Sequence, residues 1–210
     1  MKKKIISLVL ITSFTLGLTG CSILENGAKR NKKQAEYVEA IEDLGFKKHE
    51  SNNKKDIKKG AYQVISSNSG IEDFFDDFQF DEPDAKDIAK VTMALKKEDN
   101  NQFVSFLAEF RDEDDAEDYF GDICEFYEDL YEKYEDQYGI EVGFDSDDEY
   151  LYLAATDNSD GELNVAIVLD GYNVYYIIAT ISDSDDYDYI ELVADLCDSL
   201  GFDNPEDYLE

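Results

Sequence analysis

Acid–base, nucleophilic or metal chemistry in this chain could only come from 51 carboxylates, three cysteines and one histidine. Catalysis by Ser or Cys needs a base within hydrogen-bond reach. The lone His49 lies in a run of lysines, asparagines and serine that offers no Ser-His-Asp or Cys-His pairing, so no catalytic residue is assigned. Asp145, Asp147 and Asp148, followed by Glu149, make one dense oxygen cluster, and Asp183, Asp185 and Asp186, followed by Asp188, make a second. Such ligands suit Ca2+, but an EF-hand loop needs glycine at its sixth position and glutamate at its twelfth. Counted from Asp145 those places hold Tyr150 and Thr156, and counted from Asp183 they hold Asp188 and Ala194. The six aspartates are therefore candidates for diffuse cation binding, beside the blander reading of a solvated acidic face. Two carboxylates could meet in a cleft as the acid and base of a glycosidase, yet their abundance singles out no pair. No phosphate-binding loop, dinucleotide fingerprint or zinc spacing is present, and no cofactor is expected. Cys124 and Cys197 fall on apolar helical stripes, where they read as small buried residues, or as a disulfide if their helices pack side by side.

The elements that must position these groups are legible from periodicity. Tyr37, Val38, Ile41 and Leu44 predict a helix over residues 34–44 that stops at Gly45, with Phe46 folding back over it. Residues 47–59, rich in Lys, Asn and Ser, read as a solvent loop, and Ala61 to Ser66 as a strand. Ser69 is placed to cap a short helix carrying Ile71, Phe74, Phe75 and Phe78. Residues 91–95 and 103–110, separated by Asp99-Asn100-Asn101, fit a hairpin better than a helix. The clearest helix runs from Asp112 to Tyr138, with Ala116, Tyr119, Phe120, Ile123, Tyr127, Leu130, Tyr134 and Tyr138 in one stripe. Glu141 to Phe144 reads as a short strand. Tyr150 to Thr156, Leu163 to Leu169 and Tyr172 to Ser182 then form an antiparallel meander, turning at residues 158–161 and at Asp170-Gly171 as a type I′ turn. A last helix, Tyr189 to Leu200, ends at Gly201 and Phe202. The recurrence of Leu-Gly-Phe at 44–46 and 200–202 admits two similar lobes, although any helix with a Schellman stop produces it. The fold class expected is α+β, a C-terminal three-stranded antiparallel sheet covered on one face by amphipathic helices.

The N-terminus carries a different kind of information. Lys2, Lys3 and Lys4 precede an apolar run from Ile5 to Leu18, too short for the roughly 20 residues a membrane span requires, and Leu18-Thr19-Gly20-Cys21 follows. These four residues resemble the lipobox of bacterial lipoproteins at every position. The resemblance covers about the first 21 residues. It implies that residues 1–20 are a signal peptide, that Cys21 is the lipidation site and the new N-terminus, and that two acyl chains hold the chain on the extracytoplasmic face of the cell membrane. Residues 21–33 then read as a tether with an extended reach on the order of 40 Å, and residues 34–210 as one acidic domain. Beyond the lipobox, the body resembles only in general style the small lipoproteins without assigned activity found in Gram-positive bacteria.

Without residues 1–20 the chain holds 16 Lys+Arg against 51 Asp+Glu, a formal charge of −35, which repels nucleic acid. The charge is unevenly placed: residues 21–59 carry ten basic and seven acidic side chains, whereas residues 112–210 carry 33 acids and only Lys133. A basic start can lie against an anionic surface while the acidic remainder is pushed outward. The expectation is a membrane-anchored envelope lipoprotein acting as a non-catalytic binding module, whose acidic, Tyr-rich outer surface meets a cationic protein or peptide. A surface protein binding Ca2+ or other cations weakly, and a carboxylate-based surface hydrolase, are the alternatives.

Overall fold

A computed structural model describes residues 30–49, 60–76, 78, 82–135, 139–157, 161–182 and 188–209. Its centre is one 8-stranded sheet. In chain order the elements are α1 (Arg30–Asp43), β1 (Lys47–Lys48), β2 (Ala61–Ile65), α2 (Asn68–Phe75), β3 (Ile88–Glu98), β4 (Asn101–Phe110), α3 (Glu113–Tyr134), β5 (Ile140–Ser146), β6 (Tyr150–Asp157), β7 (Glu162–Asp170), β8 (Asn173–Ile181) and α4 (Asp188–Leu200). A 3-10 turn, Pro205–Tyr208, follows. The strands lie in the order β1-β2-β3-β4-β8-β7-β6-β5, with β1 parallel to β2 and every other neighbour antiparallel. The expected meander β6-β7-β8 is there, as three strands of this larger sheet, and the expected hairpin at 91–110 is β3–β4. The fold class is α+β, and one continuous sheet takes the place of two separate lobes.

Both faces of the sheet are covered, where one was expected. Because side chains alternate across a strand, Val104, Phe106, Ala108 and Phe110 of β4 pack with α2 and α3. Phe103 and Leu107 pack with α1 and α4 on the other side. Strand β8 divides likewise: Val174, Tyr176 and Ile178 face α3, and Tyr175, Ile177 and Ala179 face α4. Strands buried on both faces read as near-continuous apolar runs, as 174–179 does. Among the described residues eight tyrosines are core residues, so much of the Tyr-rich outer surface expected from composition is interior. They bring polar tips with them: Tyr37 Oη and Ser105 Oγ lie 2.6 Å apart, and so do Tyr127 Oη and Tyr176 Oη, which satisfies hydroxyls that would otherwise be costly to bury.

Local stops behave as the residue types dictate. Phe46 N donates to Ile41 O and Gly45 N to Glu42 O; Phe202 N donates to Cys197 O and Gly201 N to Asp198 O. Both are Schellman motifs, with Gly45 and Gly201 at φ +88° and +78°. Other details differ from the sequence reading. Helix α1 begins at Arg30, within the residues 21–33 that were expected to be a tether; Lys32 pairs with Glu36 one turn on, and Gln34 is buried with its amide on Thr92 Oγ1. Lys47 and Lys48, expected in a loop, pair with Ala61 and Tyr62 as β1, while residues 50–59 lie outside the described residues. The cap of α2 is Ser67, whose Oγ accepts from Gly70 N, and not Ser69. Asp170 pairs with Asn173, so the β7–β8 loop is Gly171-Tyr172, and positive φ is confined to Gly171, as in a type II′ turn. Residues 158–160 of the other turn and 136–138 at the expected end of α3 lie outside the described residues.

Candidate functional site: an acidic groove at one end of the sheet

Helix α3 follows directly from β4 and is capped by Asp112, whose Oδ1 accepts from Asp114 N at 3.1 Å. Its first turn holds Glu113, Asp114 and Asp115, which suit the positive end of the helix dipole. Burying Ala116, Tyr119, Phe120, Ile123 and Tyr127 against the sheet turns Glu113, Glu117, Gly121, Glu125 and Glu128 toward the β5–β6 and β7–β8 turns. The β5–β6 turn contributes Asp147, Asp148 and Glu149 and is held by Asp147 itself, whose Oδ1 accepts from Glu149 N at 2.7 Å and Tyr150 N at 3.1 Å. The result is an open groove of about 930 Å³ between α3 and the two turns. Seven carboxylates line it, all exposed, with Phe120, Cys124 and Leu169 as apolar lining and no Lys, Arg or His. Gly121 also lines it, and a Cβ built there meets nothing within 4 Å, so packing does not demand glycine at this mid-helix position.

The start of α1 lies close by. Lys33 Nζ, in the first turn of α1, sits 2.7 Å from Asp170 Oδ2, and that hydrogen bond holds the Lys33 pKa above its ordinary value. Asp170 adjoins Gly171 of the groove, so the β7–β8 turn links the start of α1 to the acidic groove. The sequence reading put the acidic region away from the basic N-terminal part; the fold returns it to the helix that this part leads into.

The sequence-predicted site residues are distributed as follows. Asp147 and Asp148 line the groove, whereas Asp145 accepts from Tyr150 Oη at 3.1 Å on the strand between Phe144 and Ser146. That separates the first candidate cluster, because alternation along β5 sends Asp145 to the opposite face from Phe144. Asp183, Asp185 and Asp186 lie outside the described residues. Among the described residues no three His, Cys, Asp or Glu side chains are gathered to hold a metal. Cys124 and Cys197 are both free thiols and lie in clusters on opposite faces of the sheet, which rules out the pairing considered from sequence. Burial is the main cause that pushes each thiol up to about 12, with Glu128 adding to it at Cys124 and Asp203 at Cys197. Sequence reasoning missed the four glutamates of α3 that line the groove, Glu113, Glu117, Glu125 and Glu128. Their signal was present: positions 113, 117, 125 and 128, with Gly121 between them, follow helical spacing beside the apolar stripe.

No protein-family model matches the chain, and no curated protein matches it. Among solved structures, the extracellular domain of PknH from Mycobacterium tuberculosis is similar at a TM-score of 0.35 and 11% identity. That match covers 55% of this chain and 66% of the other.

Proposed function

We propose that the protein is a lipid-anchored envelope lipoprotein that binds a cationic partner in the groove between α3 and the β5–β6 and β7–β8 turns. One observation carries the reading: seven exposed carboxylates converge on a groove with an apolar lining and no lining cation. Like charges brought together without counter-charges raise the local negative potential, which favours and speeds encounter with a basic protein or peptide. Gly121 adds to this, because a mid-helix glycine costs roughly 1 kcal/mol of helix propensity and leaves its backbone open to close approach. Carboxylates beside the apolar lining of Phe120, Cys124 and Leu169 suit a peptide carrying both basic and apolar side chains better than a free ion. For glycoside hydrolysis, one carboxyl is kept protonated by a desolvated setting, and none of the seven is buried. The link between the groove and the start of α1, with nine chain steps from Cys21 to Arg30 and a reach of roughly 30 Å, favours a partner held near the membrane surface.

The anchor is tested by Cys21→Ala. Labelling with a fatty acid should tag the native chain and leave the variant untagged; equal label in both removes the lipoprotein reading. The groove is tested by immobilising the full chain and measuring retention of a basic peptide as salt rises. Screening shortens from about 30 Å at 0.01 M to about 8 Å at physiological strength, so retention should fall steeply across that range. Neutralising Glu117, Glu125, Asp147 and Asp148 together should abolish it, whereas neutralising the exposed Glu39, Glu191, Asp195 and Asp198, an equal change in net charge, should leave most of it. Gly121→Leu, which fills the groove without altering charge, should also reduce it. Equal losses from both charge sets would reduce the groove to part of a solubilising surface.

A further inference from the structure

We propose that β5 is a docking edge to which a basic, extended peptide adds as a further strand of the sheet. The proposal rests on the cationic-partner reading for the sign of the partner's charge and goes beyond it in the mode of binding. Edge strands present a row of unpaired backbone groups, which proteins commonly blunt with short strands, Lys, Pro or bulges. The edge at β1 is blunted in this way, being two lysines long. The edge at β5 is guarded by charge alone: it runs seven residues without Pro or Lys, in unbroken register with β6, pairs among the described residues with β6 alone, and carries Glu141 and Asp145, which disfavour a like-charged strand but not a basic one.

The ladder identifies the outward groups. Asp147 N donates to Tyr150 O at 2.9 Å, which makes 147 and 150 a hydrogen-bonded pair. Antiparallel pairs alternate between hydrogen-bonded and non-hydrogen-bonded, so Asp145, Gly143 and Glu141 turn their N–H and C=O toward β6. Ser146, Phe144, Val142 and Ile140 turn theirs away from it. The strand is braced on both faces. Val142 and Phe144 pack on the α3 side, where the Phe144 and Tyr131 rings stack at 4.8 Å. On the other side the backbone of Tyr208 lies against Gly143. An edge held in this way is preorganised for strand addition, in which main-chain bonds supply affinity and alternate side chains supply specificity.

Charge selects the occupant. A second copy pairing its own β5 antiparallel about Gly143 would set Glu141 opposite Asp145 at both ends, and like charges directly opposite are destabilising. A strand with Lys or Arg at those places and apolar residues opposite Val142 and Phe144 reverses the sign. The partner is therefore a segment of alternating basic and apolar residues.

The test uses the full chain in a zwitterionic detergent at low salt, with a peptide as long as β5 that alternates Val and Lys, and the same peptide N-methylated at the residues facing β5. The unmodified peptide should slow amide exchange at Val142, Phe144 and Ser146 while leaving Glu141 and Gly143 little changed, and N-methylation should weaken binding by at least about tenfold. Equal binding of the two peptides without that alternation overturns strand addition. If that binding is still lost on neutralising the groove acids, the groove reading stands without it. Binding of neither peptide overturns both.

Discussion

Replacing Ile123 with Asp is expected to unfold the body at ordinary temperatures or to lower its melting temperature by at least about 10 °C. Ile123 is fully buried in the middle of α3, within the cluster that includes Phe106 and Tyr176 of the sheet. The substitution removes its apolar contacts and places a carboxylate where no cation lies among the cluster's residues. Loss of the side chain costs about 2–5 kcal/mol, and burying an unpaired charge adds to that, against a total stability of roughly 5–15 kcal/mol. In a domain of this size each kcal/mol moves the melting temperature by about 2–4 °C. Phe120→Asp should be milder, because Phe120 also lines the groove and its new carboxylate has a path to water. Glu128→Ala should change little: Glu128 is exposed, and the hydrogen bond it accepts from Ser146 Oγ is long, at 3.4 Å. Thermal unfolding followed by circular dichroism should give the order Ile123→Asp, Phe120→Asp, Glu128→Ala. Similar melting temperatures for all three would show that this face of α3 is not the one that packs.

Gly143→Ala should detach the C-terminal segment from the sheet. A Cβ at Gly143 would stand 2.1 Å from Tyr208 O and 2.6 Å from Leu209 N, both backbone atoms that no rotamer change can move aside. The segment must lift away. With it go the stack of Tyr208 on Tyr152, at 5.5 Å and 8°, and the hydrogen bond from Asp203 N to Tyr152 Oη at 3.1 Å. A loss of about 1–3 kcal/mol follows from overpacking of this kind. The effect should be local, with faster amide exchange and new protease cleavage at residues 203–209 while β3, β4 and β8 stay protected. Deleting residues 203–210 provides the control, because in that background Gly143→Ala should cost almost nothing, a strong coupling between two sites in contact. If the substitution costs as much in the truncated chain as in the whole one, the close approach of Tyr208 is not what glycine serves at 143.

These two experiments probe the two kinds of information that specify the molecule. The type of most elements was a local matter that the sequence determined, whereas bounds such as the start of α1 at Arg30 and the short strand Lys47–Lys48 were not. The stripe from Ala116 to Tyr127, the glycine stops at 45 and 201, and the apolar runs in 150–156 and 163–169 each follow from side-chain pattern or from what glycine alone can do without strain. The apolar run through β4 and β8 even held the sign that both sheet faces are covered. The strong acidity was also legible, but not its gathering. Glu117 and Asp148 are far apart in sequence, and they line one groove because β4 delivers α3 over the sheet end where the β5–β6 and β7–β8 turns emerge. Likewise Cys124 and Cys197, both on apolar stripes, could be assigned to opposite faces only once the sheet lay between their helices. Strand order, the two-sided core and the groove depend on pairings between segments that share no local pattern, because the free energy that selects among them, the joint burial of all the apolar stripes, exists only for the assembled chain. The lipobox resemblance is the opposite case, carried wholly by Leu18-Thr19-Gly20-Cys21, residues whose reading needs no fold at all.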